Sequence, residues 1–178
     1  MKQLNLNFLG DKEIPGISSN FGKFLAEAAM VCLHLNQHES GVVLKSSGTL
    51  NEDFEIVWSE ELTEDVIDSW KDLNEATEYG ATAIAMLLTN EVLKMKRVVR
   101  NIGAADYIIS DVEMKTDQSN YPMVYLEISG IFSATTNNTL TKRVNQKVLQ
   151  VKKGVASAPF LVVVVEFSSP EAKIKSHL

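Results

Sequence analysis

The run Phe160–Phe167, FLVVVVEF, constrains the fold of this chain more than any other stretch. Its apolar core, Phe160–Val165, offers no polar face, and its valines favour extended backbone. A strand of this kind is buried on both faces, so its sheet must carry covering layers on each side. No apolar run in the chain is longer than Phe160–Val165, which is far too short to span a bilayer. With no charged-then-apolar leader at Met1–Gly10, a cytoplasmic protein without membrane contact is expected.

The covering layers are predicted from periodicity. Phe21, Phe24, Leu25, Ala28, Val31, Cys32 and Leu35 recur at spacings of three and four, predicting a helix over Phe21–Asn36 capped by Ser18 or Ser19. An acidic helical stretch begins near Thr63, and a second helix runs from Asn74 to about Lys94. The small residues of YGATAIAMLL in that second helix predict close packing against a sheet. Leu140, Val144, Val148 and Val151 form the inner stripe of a helix over Leu140–Val151. Gly41–Ser46 and Phe54–Trp58 read as a hairpin, and Val98–Asn101 as a further strand. Met1–Ser19 has no period, and Pro170 onward reads as a loose tail.

At 178 residues and 45% hydrophobic, the chain suits one α/β domain. Residues 1–62 are expected to form an N-terminal helix and hairpin elaboration, and residues 74–168 the core. One cysteine excludes an internal disulfide framework.

Chemistry concentrates in the stretch from Asn101 to Ile131. Ala105–Ser110 and Met123–Ser129 read as two strands joined by a polar connection. A hairpin symmetric about Thr116 and Asp117 sets Asp106 opposite Glu127. Ser129 then shares the face of Glu127, since side chains alternate along a strand. Two facing carboxylates are costly unless they share a cation or a proton, which suggests a site for Mg²⁺ or Mn²⁺.

The order helix, three strands, helix, strand, with an acid on the second strand and Glu-x-polar on the third, resembles the restriction-endonuclease-like fold of the PD-(D/E)xK nuclease superfamily. The likeness covers about the last 105 residues. It implies that Asp106 and Glu127 bind the metal, that Glu78 in EATEYGA is the helix acid, and that the substrate is nucleic acid. Ser129 stands where the motif lysine belongs, and no proline precedes Asp106. Lys142 and Lys147 on the next helix are candidates to replace that lysine, as a point charge on phosphate or beside a developing hydroxide. The whole chain is also similar to a family of small uncharacterised bacterial proteins that share ATEYGA, LEISGI and VVVVEFSSP. That likeness implies an E-x-S pattern and no particular activity.

Two function classes follow. One is a metal-dependent phosphodiesterase with Asp106, Glu127 and Glu78 as metal ligands and Ser129, Lys142 and Lys147 as catalytic candidates. The other is a catalytically degenerate module that binds a protein partner through its acidic first half. Residues 1–90 carry 15 acids against 5 bases, and residues 91–178 carry 8 against 12. The helix at Leu140 carries Lys142, Arg143 and Lys147 and no acid, a pattern able to track a phosphate backbone. No aromatic interleaves with it, so base stacking from this helix is not expected.

Other patterns point to no chemistry. His34 and His38 share a helix face, but Leu35 replaces the Glu of a zinc hydrolase motif. Cys32 lies on an apolar stripe and reads as core. Asp111, Glu113 and Asp117 alternate like a calcium loop without its glycine or terminal Glu. The chain has no Gly-rich phosphate loop and no G-x-S-x-G.

Overall fold

The structure, a computed structural model, describes all residues except 12, 13, 104, 111–122 and 156. The elements in chain order are β1 (Lys2–Asn5), a 3₁₀ turn (Leu6–Leu9), α1 (Ser19–Leu35), β2 (Val42–Gly48) and β3 (Asp53–Val57). Then come α2 (Glu64–Ser69), α3 (Leu73–Leu93), β4 (Arg97–Arg100), β5 (Tyr107–Ser110) and β6 (Val124–Ile131). Last are α4 (Leu140–Val155), β7 (Phe160–Glu166) and β8 (Glu171–His177). The expected helix caps are present: Ser18 Oγ accepts the Phe21 amide and Thr63 Oγ1 the Val66 amide. Asp72 accepts the Asn74 and Glu75 amides at the start of α3.

The protein is α/β, with a mixed eight-stranded sheet in the order β1-β3-β2-β8-β7-β6-β5-β4. Every residue of β7 is buried. Leu161, Val163 and Val165 join the core beneath α1 and α3, while Phe160, Val162 and Val164 pack with Val144, Val148 and Val151 of α4. A parallel neighbour requires a crossover, and α4 supplies it between β6 and β7. The order α3, β4–β6, α4, β7 is the one expected from sequence.

Three segments differ from the sequence reading. The residues from Pro170 are not a loose tail, because Glu171–His177 pairs antiparallel with β7 and parallel with β2. Only Ala172 and Ile174 of that strand are buried, and between charged neighbours so thin an apolar face is easily missed. Lys2–Asn5 pairs with β3, and the following turn buries Leu6 and Leu9. Ser129 does not end its strand: β6 continues through Gly130 to Ile131 in register with β7.

Two glycines set the spacing of the layers. A Cβ at Gly80 would lie 3.0 Å from Ala29 Cα and 3.1 Å from the Ala28 carbonyl, so α1 and α3 are in backbone contact there. A Cβ at Gly130 would lie 2.5 Å from both the methyl and the carbonyl oxygen of Thr77. The small-residue stretch of α3 therefore packs between a helix and the sheet. Gly130→Ala is expected to lower stability by about 1–3 kcal/mol, because the Thr77 backbone cannot yield cheaply. Urea denaturation measures this, and unchanged stability contradicts the close approach.

Candidate functional site

The site begins where β5 leaves β6. The ladder runs Tyr107↔Leu126, Ile108↔Tyr125 and Ile109↔Val124. One step outward, Asp106 falls opposite Glu127, the register expected from a symmetric hairpin. Asp111, Glu113, Thr116 and Asp117, where the symmetric turn is expected, lie outside the described residues. Among the described residues no ladder pair joins β5 to β6 past Tyr107↔Leu126, and the Asp106 Oδ2 accepts the Ile128 amide at 2.8 Å. A side chain thus takes over from the strand, and a cleft of about 490 Å³ opens along β6.

The α3 layer contributes Asn74, Thr77, Glu78 and Thr82 to this cleft, and the α4 layer Arg143 and Lys147. Arg100, Asp106, Ser129 and Asn138 also line it. Lys147 Nζ donates to Glu127 Oε1 at 2.6 Å, with side chains 21% and 3% exposed. Glu127 is not among the lining residues, so Lys147 stands between its carboxylate and the opening. One helical turn earlier, Arg143 is fixed on two sides. Its Nε and Nη2 donate to Asn138 Oδ1 at 3.2 and 2.9 Å, and its Nη1 donates to Ser129 Oγ at 3.3 Å. The loop holding Asn138 is itself anchored: Glu166, 2% exposed, accepts the amides of Ala134, Ser168 and Ser169.

Burial pushes the Glu127 carboxyl above the usual carboxylate range; the Lys147 hydrogen bond opposes this and the Asp106 charge adds to it. For Arg100, burial works against the charge, but Tyr107, Asp106 and Glu78 outweigh it and its pKa is raised. Counting Glu127, three carboxylates meet three cations around the cleft, an arrangement that balances charge.

The sequence candidates divide accordingly. Asp106, Glu127, Ser129 and Lys147 come together, and Glu78 shares the cleft with Asp106. Lys142 turns away, its Nζ donating to the Thr136 carbonyl at 2.8 Å. Arg100 and Asn138 were not singled out by sequence, and Arg143 was read only as part of a basic surface. The i, i+4 spacing of Arg143 and Lys147 was the available signal for a shared direction. Among the described residues, no group of three or more His, Cys, Asp or Glu side chains is gathered to hold a metal ion. His38 faces the Ser168 carbonyl at 3.2 Å. Cys32 is core, its thiol pushed up to about 12 by burial and only partly relieved by Thr77. Among the described residues, no helix is long and apolar enough to cross a membrane.

No protein-family model matches the chain, and neither a curated protein nor a solved structure matches it.

The raised pKa of Glu127 has a definite stability consequence. Below the unfolded carboxyl value of about 4.3 its burial costs no charge. As pH rises through the higher folded value the cost appears, and it is complete above that value. Lys147 limits the cost. Lys147→Met is therefore expected to match the parent closely at about pH 4.5 and to fall about 1–3 kcal/mol below it at pH 8. Denaturation of both proteins across that range measures the gap, and a gap independent of pH contradicts the assignment.

Proposed function

We propose that the chain is a divalent-metal-assisted nucleic-acid phosphodiesterase with a restriction-endonuclease-like core, in which Lys147 of α4 replaces the lysine missing at Ser129. The observation that carries this reading is the 2.6 Å contact of Lys147 with Glu127 on the strand that faces Asp106. The element order from α3 to β7, with an acid at the start of β5 and another within β6, supports the core assignment.

The donor set fits a hard cation. Asp106 and Glu127 supply carboxylate oxygens from adjacent strands, and Mg²⁺ is commonly held by one or two carboxylates while keeping several waters. The pair also carries a cost that Lys147 offsets only in part, since burial and the Asp106 charge leave the Glu127 pKa raised. Asp106 and Glu127 would hold the ion, with Glu78 assisting from the α3 wall. When bound, such an ion polarises a phosphoryl oxygen and lowers the pKa of a coordinated water. The protein's own cations do the rest. Arg143, fixed by Asn138 and Ser129, is pre-aimed at a phosphate oxygen with little ordering cost. Lys147 keeps a positive charge beside the reacting group, and Ser129 positions Arg143 rather than taking the lysine's place.

A second reading, a degenerate module that binds a protein partner through the acidic first half, is favoured by the closure of Glu127 behind Lys147. Metal binding and turnover separate the two. Mn²⁺ at about 100 times its dissociation constant is expected to stabilise the parent by about 2.7 kcal/mol in a thermal melt. Asp106→Asn abolishes that shift. Lys147→Met retains it while losing about 10²–10³-fold in cleavage of labelled nucleic acid. Parental cleavage by Lys147→Met, or no Mn²⁺ shift in the parent, overturns the phosphodiesterase reading and leaves the interaction module.

A further inference from the structure

A second cavity, of about 390 Å³, lies beside the cleft and shares Arg100 with it. Its wall is formed by Ile17, Phe21, Tyr79, Val98 and Tyr107. These residues come from the segment before α1, from α1 itself, and from α3, β4 and β5. Three of the five are aromatic, and their setting is stiff. Tyr79 meets Phe24 edge to face at 4.9 Å and Trp70 at 6.3 Å, and Phe24 in turn stacks with Phe21 at 6.3 Å. The Arg100 guanidinium sits over the Tyr107 ring, 4.9 Å from its centroid. The Tyr107 hydroxyl is buried, and its ring lies against the Arg100 guanidinium.

Resting on the proposed phosphodiesterase reading, we infer that this cavity receives one unstacked nucleobase of a strand whose phosphate lies in the neighbouring cleft, so that the substrate is single-stranded nucleic acid. The chemistry of the two compartments is that of a nucleotide. One is lined by Arg143 and Lys147, the other by the rings of Phe21, Tyr79 and Tyr107, and Arg100 borders both. Aromatic walls hold bases by stacking without regard to sequence, and an arginine over a ring extends the same surface. A base paired within a duplex cannot enter such a cavity without leaving its stack, which disfavours intact double strands.

The test is fluorescence anisotropy with chelator present, using a labelled ten-nucleotide thymidine strand, an abasic strand of equal length, and a duplex. The intact strand is expected to bind about tenfold more tightly than the abasic strand, and more tightly than the duplex. Phe21→Leu and Tyr79→Leu, which keep apolar bulk but remove the ring, should bring the ratio of intact to abasic binding to about one. Abasic binding should stay within about twofold of the parent in both variants, and that value also reports that they fold. Equal binding of intact and abasic strands by the parent overturns the inference, as does a preference that survives both substitutions. A base preference without metal-dependent cleavage of any strand would remove the phosphodiesterase reading and keep the cavity's role as a base site. Cleavage without a base preference would do the reverse, and failure to bind any strand together with no cleavage in Mn²⁺ would remove both.

Discussion

Burial of β7 on both faces is the constraint on which the other elements depend. Seven consecutive buried residues cannot be covered by one layer, so α3 and α4 must lie on opposite sides of the sheet. The parallel pairing of β6 with β7 then obliges the chain to cross over between them, and α4 is that crossover. The same step carries Arg143 and Lys147 to the face of β6 that bears Glu127 and Ser129. Layer and site are thus products of one topological requirement. The N-terminal region reinforces the opposite side: α1 packs on α3 through Gly80, and β2 extends the sheet beyond β8.

Electrostatic balance decides what the cleft can hold. A carboxylate as buried as Glu127 is expensive to ionise, and replacing a buried ion pair by apolar residues is often neutral or stabilising. The pair with Lys147 is therefore not explained by stability alone. Asp106 sharpens the point, since its charge works against Glu127 across the strand gap. Arg143 and Arg100 do not pair directly with either acid. They are held by Asn138, Ser129 and Tyr107, neutral groups that orient a guanidinium and leave its charge for something else.

Much of this was legible in the sequence because it followed local periods. The valine run, the stripe Leu140–Val144–Val148–Val151 and the caps at Ser18 and Thr63 all express rules acting over a few residues. The Asp106–Glu127 register was legible as well, since hairpin pairing is arithmetic once the turn is centred. What escaped depends on neighbours distant in the chain. β8 has only Ala172 and Ile174 facing the core, and it is a strand because β2 and β7 flank it. Arg100 belongs to the site because β4 lies next to β5, and no spacing relates it to Arg143. Lys142 and Lys147 were equivalent by charge. Five residues apart, they point about 140° away from each other around α4, and how α4 sits on β6 decides that Lys142 reaches Thr136 and Lys147 reaches Glu127.

The aromatic wall illustrates the same limit in a way that bears on function. The basic helix contains no aromatic residue, so a sequence argument that looks for bases and rings interleaved on one element finds none. The fold separates the two chemistries onto opposite layers, with cations from α4 on one side and rings from α1 and α3 on the other. They meet because β5 stops at Tyr107 and leaves β6 uncovered beyond it. Had β5 continued, its backbone would have closed the cleft, and Arg100 would have had no gap to border. The fifth strand, only four residues long, is what sets the basic cleft and the aromatic cavity side by side.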